Sequence, residues 1–260
     1  MRIVSLNLRY AHSADMHNQG HREPRIVDFV KSFRPDSFGT QECEVFWRER
    51  LDATVSELGY VRAQSIHENP MACKNNIWYD AQRNQLVDSG VIWLSETPEV
   101  ASKGFGSRFF ISAAYAVLKS METGRCVAHV NTHLDVFKPE TRMRELDVLK
   151  AKIKELEDKG YAVLVTGDFN DEEDSDVYRA MTDELLDARK TAKTTTEMNT
   201  YNYCNSEGVI IPKEKYRRID FCFHNGNKTG VSVERFDVVD RWTDGYMSDH
   251  NALIVDVAPC

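Results

Sequence analysis

YAVLVTGDFN, residues 161–170, is a continuous apolar run that enters a polar tip. A strand with one wet face alternates apolar and polar residues, so an unbroken run marks a strand buried on both faces. Such a strand needs covering layers, and the flanking sequence supplies them. Before it, residues 139–157 place Met143, Leu146, Leu149, Ile153 and Leu156 in one helical stripe, with Pro139 in the first turn and Gly160 at the end. After it come a short helix around Ser175–Met181 and three alternating segments, RRIDFCF, VSVERFDVV and NALIVDV.

Further upstream, NNIWYD, QLVDSGVIWL, AAYAVLKS and CVAHVNTH read as strands between about residues 76 and 135, with METG (121–124) as a tight hairpin. Residues 2–8 form a first strand. From Arg25 the positions Ile26, Phe29, Val30 and Phe33 step by three and four as a helix stopped by Pro35. PDSFGTQE is a short buried strand, and Leu51, Val55 and Leu58 mark another helix. The two halves resemble each other in pairing a strand-rich stretch with covering helices. This pattern predicts an α+β fold with two sheets packed face to face and helices outside. With no internal repeat, low-complexity tract or Gly/Ser linker, residues 1–260 are expected to form one domain.

The chain of 260 residues is 42% hydrophobic and 28% charged, which is ordinary for a globular protein. Its 33 basic and 41 acidic residues give a net charge of −8. That sign weakens the case for a sequence-tolerant duplex binder, which draws affinity from Lys and Arg. It leaves a nuclease open, because carboxylates gathered around a cation lower the total. Six cysteines include no Cys-x-x-Cys pair, so neither a structural zinc site nor a thioredoxin-like pair is expected, and free thiols are favoured over three disulfides. No apolar stretch is long enough to cross a bilayer. MRIVSLNL already reads as a strand, so the expected location is the cytoplasm, or outside the cell for a mature form after signal removal.

Almost every residue with chemical potential falls at a strand end, where loops from both sheets can converge on one cleft. GDFN (167–170) places Asp168 and Asn170 two positions apart: an acid to accept a proton from water and an amide to donate to an oxyanion, behind a Gly167 suited to a turn. The same residues can simply cap their own turn. NTHLD (131–135) ends in His133, with Asp135 near enough to fix its tautomer. SDH (248–250) sets Asp249 beside His250. Glu42 and Asn7 end two further strands, and their oxygens suit a hard cation such as Mg²⁺. Each of these also has a structural reading as a turn former, surface carboxylate or core histidine.

Their order along the chain says more. Asn7, QE (41–42), THLD (132–135), GDFN (167–170), RID (218–220) and SDH (248–250) resemble, in sequence and over essentially the whole chain, the endonuclease/exonuclease/phosphatase superfamily, and GVIWLSETPE (90–99) looks like its generic bacterial branch. The resemblance implies a DNase I-like four-layer α/β/β/α sandwich with mainly antiparallel sheets and dependence on Mg²⁺ or Mn²⁺. It implies Glu42 as the main metal ligand, with Asn7 close by and Asp249 completing the acidic side. Asp168 would orient or deprotonate the attacking water and Asn170 would steady the phosphate. His133 and His250 would bind phosphoryl oxygens, with Asp220 holding the tautomer of His250. The expected function is therefore metal-dependent hydrolysis of a phosphate ester, with a phosphodiester favoured. A nuclease acting on DNA or RNA is the alternative within that class. A non-catalytic binding protein on the same fold is the alternative outside it, and retention of Glu42 and His250 argues against it. A cysteine nucleophile at Cys126 or Cys43 has no histidine pairing in the sequence to support it.

Substrate choice is expected to lie in three loops, 62–76, 95–112 and 195–216. The second carries Lys103, Phe105, Arg108, Phe109 and Phe110. Arg108 can grip a second phosphate and the phenylalanines can stack on a base, or the rings can tuck onto the core. The third carries Tyr201, Tyr203, Lys213, Lys215, Arg217 and Arg218, which can flank a charged substrate. Trp242 and Tyr246 are candidates for a wall of the cleft. No basic, aromatic-interleaved surface for duplex DNA and no apolar loop for docking on lipid is evident. A phosphorylated small molecule is thus at least as good a partner as nucleic acid, with no membrane insertion and a monomeric state expected.

Overall fold

The fold is taken from a computed structural model, which describes residues 1–10, 19–64, 73–204 and 211–258. Most of loop 62–76, part of loop 195–216 and Cys260 therefore lie outside the described residues. The secondary structure runs β1 (Arg2–Asn7), α1 (Gln19–Phe33), β2 (Ser37–Gln41), α2 (Val45–Ser56), β3 (Tyr60–Arg62), β4 (Asn76–Asp80), β5 (Asn84–Trp93), β6 (Ser112–Ser120) and β7 (Cys126–His133). It continues through α3 (Pro139–Asp158), β8 (Ala162–Asp168), α4 (Asp176–Thr182), β9 (Leu186–Asp187), α5 (Ala188–Thr191), β10 (Thr194–Thr195), β11 (Asp220–His224), α6 (Gly226–Thr229), β12 (Ser232–Val239) and β13 (Ala252–Ala258).

Two mixed sheets form, one ordered β10-β12-β13-β1-β2-β4-β3 and the other β5-β6-β7-β8-β11-β9. The pairs β1–β2 and β7–β8 at the sheet centres are parallel, β10–β12 is parallel, and the remaining neighbours are antiparallel. Strand periodicity distributes the side chains. Val4 and Leu6 of β1 pack outward with Ile26, Phe29 and Val30 of α1 and Trp47, Leu51 and Val55 of α2. Val163 and Val165 of β8 pack outward with Leu146, Leu149, Ile153 and Leu156 of α3. Ile3, Leu164, Cys222, Phe236 and Leu253 meet between the sheets. The arrangement is an α+β sandwich with helices outside two facing sheets, as the patterning predicted.

The helix at residues 25–33 begins earlier than its apolar stripe indicates, at Gln19, and takes Pro24 inside it. The strands β3, β9 and β10, each of three residues or fewer, are too short for periodicity to reveal. Among the described residues no helix is long and apolar enough to cross a membrane.

The layer between the sheets changes character along its length. Its lower part is apolar, whereas its upper part is a hydrogen-bonded polar network. Ser37 Oγ pairs with His129 Nδ1 at 2.8 Å, and His129 Nε2 pairs with Thr166 Oγ1 at 2.7 Å. Gln41 Nε2 donates to Asn131 Oδ1 at 2.6 Å and to Ser5 Oγ at 3.0 Å. Buried polar groups need partners, and the Ser37–His129 and Gln41–Asn131 bonds supply them from one sheet to the other. Gly39 makes the close approach possible: a Cβ there would lie 2.6 Å from Asn131 Cγ. Just above this network the strands end, and the site begins.

Candidate active site

Period-two alternation decides which residues reach the top of the inter-sheet layer. In β7 the outward positions Ala128 and Val130 enter the helix-side core, so His129, Asn131 and His133 point inward. In β8, Leu164, Thr166 and Asp168 point the same way, as do Asp220 and Cys222 in β11. Asn7 is the last residue of β1 and Glu42 follows the last residue of β2. Register sets the neighbours: His133 lies beside Asp168 across β7–β8, and Asp220 lies beside Asp168 across β8–β11. Asp249 and His250 enter from the segment before β13. Seven of the eight residues expected for catalysis or metal binding come together at this end directly, and Asn170 closes the group two residues beyond β8.

Asn7 is the cross-link of the floor. Its Nδ2 donates to Glu42 Oε1 at 3.2 Å and to Asp168 Oδ2 at 3.0 Å, while its Oδ1 accepts from the Arg9 N–H at 2.9 Å. Glu42 Oε2 accepts from the Tyr10 N–H at 2.7 Å. Asp168 Oδ1 accepts from the Asn170 N–H at 2.9 Å, and Asp168 Oδ2 lies 3.5 Å from His133 Nε2 and 3.6 Å from His250 Nε2. His250 Nδ1 pairs with Asp220 Oδ2 at 2.8 Å, and because an ionised carboxylate only accepts, Nδ1 carries the hydrogen. Nε2 is thereby aimed toward Asp168. Arg9, Glu42 and Asn170 all hold φ between 51° and 53°, a left-handed conformation uncommon outside glycine. Three such residues at three strand ends mark a backbone bent to converge on one point.

The charges are arranged around burial. Burial opposes ionisation of Glu42, yet His133, the Tyr10 N–H and His250 outweigh it and hold the carboxyl below its ordinary range. Burial pushes Asp168 up, with Asp220 adding repulsion and His133 offsetting part of it. Asp249 is likewise raised by burial, relieved by His250 and opposed by Glu42. Burial opposes the charge on His250, but Asp220 and Asp168 overcome it and raise the imidazole well above its usual value. Asp168 and Asp249, whose ionisation is disfavoured by burial and by the neighbouring carboxylates of Asp220 and Glu42 respectively, form a site that added positive charge stabilises.

The donor chemistry fits a divalent ion. Among the described residues, one ligand atom each from Asp168, Asp220 and His250 lie within 4.8 Å of one another. That trio spends its contacts internally through the Asp220–His250 bond. The carboxylates of Glu42 and Asp249 and the side-chain oxygen of Asn7 are the oxygen set a hard cation prefers. The floor opens into a cleft of about 980 Å³ lined by Glu42, His133, Asp168, Asn170, Asp249 and His250, with Asn7 and Asp220 behind them. Arg108, Phe109 and Phe110 line its mouth, as do Tyr201, Tyr203 and Arg217.

Several local expectations change. Asp135 does not touch His133; it accepts from Ser107 Oγ at 2.7 Å and from the N–H groups of Phe137 and Lys138, because its chain turns there into α3. Gly167 lies within β8 rather than in a turn, at φ 148°, and a Cβ would sit 2.0 Å from the Thr132 carbonyl oxygen. Trp242 faces away from the cleft, packed on Phe29 and Phe33 with Nε1 donating to Asp28 Oδ2 at 2.8 Å, and the Tyr246 carbonyl accepts from Arg25. Arg218 is buried in ion pairs with Asp187 and Glu173. The aromatics of loop 95–112 divide: Phe110 packs on Trp93, whereas Phe109 stays exposed. Cys43, Cys73, Cys126, Cys204 and Cys222 are free thiols, and burial pushes that of Cys43 up to about 12, far from a nucleophile's range.

Arg9 and Thr200 escaped the sequence, and Tyr201, expected only to flank a charged substrate, lies against His250 instead. Arg9 approaches Asp249 Oδ2 at 3.8 Å. The Tyr201 ring packs on the His250 ring with centroids 4.7 Å apart. Thr200 Oγ1 accepts from the Asp220 N–H at 3.0 Å. None of these stands in a motif, although the alternation of His129, Asn131 and His133 in β7 signals a polar inner face.

The endonuclease/exonuclease/phosphatase family profile matches residues 4–250. Among solved structures, an endonuclease/exonuclease/phosphatase from Bacteroides vulgatus is 27% identical with a TM-score of 0.88, covering 100% of this chain and 98% of that one. A mannosyl-6-phosphatase of Bacteroides thetaiotaomicron is 26% identical with a TM-score of 0.85, covering 99% of each chain. Zebrafish (D. rerio) TDP2 is 17% identical with a TM-score of 0.74 over 99% of this chain and 98% of that one, a likeness of fold alone. A comparison with curated proteins finds no match. The ordered strand-end residues, the facing sheets and the family match agree: the chain belongs to the endonuclease/exonuclease/phosphatase family.

Proposed function

We propose that the protein is a metal-dependent hydrolase of phosphate esters, with a phosphodiester as the favoured substrate. The observation that carries this reading is the convergence of Asn7, Glu42, Asp168 and His250 on one cleft, joined through the two hydrogen bonds of Asn7 and the Asp220–His250 pair. Glu42, Asp249 and the Asn7 side-chain oxygen would hold Mg²⁺ or Mn²⁺, which when bound neutralises charge on the phosphoryl and leaving oxygens.

Asp168 accepts from Asn170 and Asn7 and keeps lone pairs for a water hydrogen, so it orients the attacking water and takes its proton. Burial, by raising Asp168, makes it a better base. His250, kept cationic by Asp220 and Asp168, brings positive charge to the phosphoryl oxygens, and the His133 imidazole, 3.5 Å from Asp168, is a further contact for them. The Asn170 Nδ2 donates to the Leu134 carbonyl at 2.9 Å, which fixes the amide at the rim of the floor, where it steadies the phosphate. A water oxygen bonds to phosphorus as the opposite ester bond breaks, giving an acid and an alcohol with no covalent enzyme intermediate.

The likeness to a mannosyl-6-phosphatase favours a second reading, hydrolysis of a sugar phosphomonoester. One experiment tests both: hydrolysis of bis-p-nitrophenyl phosphate, single- and double-stranded DNA, RNA, inositol phosphates, hexose phosphates and sphingomyelin, with Mg²⁺, Mn²⁺ or EDTA. Metal-dependent turnover of a diester is expected. Turnover indifferent to EDTA would contradict the metal requirement, and a hexose phosphate as the only substrate would select the second reading.

A further inference from the structure

The mouth of the cleft differs in chemistry from its floor. Phe109 and Phe137 line it, 46% and 58% exposed, and stack on each other with centroids 6.1 Å apart and planes inclined by 25°. The Arg108 guanidinium lies over the Phe137 ring at 5.5 Å. Lys103, also in the lining, sits over Phe110 at 5.4 Å. Among the described residues neither Arg108 nor Lys103 is paired with a carboxylate, in a chain whose acidic residues outnumber its basic ones. Other cations of the same cleft are neutralised: Lys74 by Glu44 and Arg217 by Glu172.

This ledge is held rigidly. Ser107 Oγ donates to Asp135 Oδ2 at 2.7 Å, Lys138 Nζ to the Gly106 carbonyl at 2.9 Å, and Thr141 Oγ1 to the Phe105 carbonyl at 2.9 Å. The Arg144 guanidinium covers Phe105 at 4.3 Å from its centroid. Segment 105–110 is thus fastened to the turn that follows His133. Asp135 also accepts from the Phe137 N–H at 2.8 Å, so one carboxylate sets both rings. Aromatic faces exposed to water on a preorganised frame lose little freedom on binding, and they gain by covering a flat ring.

We infer that Phe109, Phe137 and Arg108 form a second subsite, which takes a planar aromatic ring joined to a second anionic group, the chemistry of a nucleotide. The inference rests on the phosphoester-hydrolase reading of the floor and names the substrate class that the floor leaves open. A sugar monophosphate can lay its C–H face on a phenylalanine ring, but with its one phosphate at the floor it leaves Arg108 and Lys103 without an anion. Nucleotides satisfy both features, since a base stacks on the ring and a phosphate meets the guanidinium.

Two measurements on the full chain decide the matter. The first is calorimetric binding of AMP in EDTA, for the wild type and for Phe137→Ala, Phe109→Ala, Arg108→Ala and Phe137→Trp. AMP is expected to bind the wild type, to bind the alanine variants roughly tenfold more weakly, and to recover on Phe137→Trp, in line with the loss of one stacked base. The second is the ratio of kcat/KM for the 5′-p-nitrophenyl ester of thymidine 3′,5′-bisphosphate, which carries a second phosphate beside the reacting one, to that for glucose 6-phosphate, with Mg²⁺ or Mn²⁺. The alanine substitutions are expected to lower this ratio roughly tenfold, mainly through KM for the nucleotide ester. AMP binding that is absent, or equal in folded rim variants, overturns the subsite, as does an unchanged ratio. A wild type that hydrolyses no phosphate ester refutes the hydrolase reading instead, while AMP binding still decides whether the ledge takes a nucleotide.

Discussion

His250 Nδ1 donates to Asp220 Oδ2 across 2.8 Å, and this bond aims His250 Nε2 at Asp168, 3.6 Å away. The three residues come from the segment before β13 and from β11 and β8, so the bond ties both sheets to one imidazole orientation. Asp220→Asn keeps the shape but offers an amide hydrogen where an acceptor is needed. Turnover is expected to fall by roughly 10²-fold, with KM little affected, as when the partner orienting a functional histidine is lost. A variant retaining most of the wild-type kcat would show that Asp220 does not set the histidine.

Glu42→Gln removes one charge from the oxygen set that would hold the cation. Thermal unfolding with and without Mg²⁺ or Mn²⁺ reads this apart from turnover. The wild type should gain stability with added metal, as any ligand of the folded state confers. Glu42→Gln should lose most of that gain. Equal metal-induced shifts in both proteins would remove Glu42 from the metal site.

Asp168→Asn should act on chemistry more than on folding. It keeps the acceptor for the Asn170 N–H but cannot take a proton from water. A loss of kcat of about 10²- to 10⁴-fold is expected from removing a general base. The far-ultraviolet circular dichroism spectrum should remain that of the wild type. Near-normal kcat in this folded variant would end the assignment.

The stability of the chain should depend on pH through two buried groups outside the metal set. Burial raises the Glu145 carboxyl to about 8, with the Asp135 N–H bond and Arg142 opposing the rise and the charge of Asp135 adding to it. The folded state therefore keeps this proton where the unfolded chain releases it, and stability from Glu145 is lost as pH climbs from its ordinary value of 4.5 toward about 8. Burial lowers His129 to about 3, so the unfolded chain takes up its proton first and stability is lost as pH falls from 6.5 toward that value. Urea unfolding of the wild type and Glu145→Gln at several pH values separates the two. The variant should gain on the wild type as pH rises from about 5 to about 9, and a constant difference would refute the shift on Glu145.

Gly167→Ala should unfold or severely destabilise the chain, by roughly 3 kcal/mol or more. The residue combines φ of 148° with a Thr132 carbonyl 2.0 Å from any added Cβ. Its neighbour Asp168 would shift with it. Denaturant midpoints measure the cost, and a loss below about 1 kcal/mol would show that the strands separate easily there.

The layers were legible because they follow from local periodicity, and most of the floor because its residues stand at strand ends in an order that resembles the family's. The apolar run at 162–166 and the stripe on residues 139–157 each need only their own neighbours to be read. Asn7, Glu42, His133, Asp168, Asp220, Asp249 and His250 were legible as strand-end residues in a familiar order. Asp135 departs from its expected role for a physical reason: its carboxylate is claimed by Ser107, from another segment, and by backbone N–H groups of its own turn. Trp242 leaves the cleft for Phe29 and Phe33, a surface that nothing in its local sequence indicates.

By itself, then, the sequence determined the alternation that sends each strand's side chains to one face or the other, and with it the two-sheet sandwich and the residues available for chemistry. Those properties depend on spacings of two to four residues along one segment. Tertiary structure alone decided which of these residues meet: that Asn7 joins Glu42 to Asp168, that Tyr201 backs His250, and that Phe109 and Phe137 stay in water at the cleft mouth. Such contacts link positions 28 to 161 residues apart, and they form only when two sheets have chosen their strand order and register.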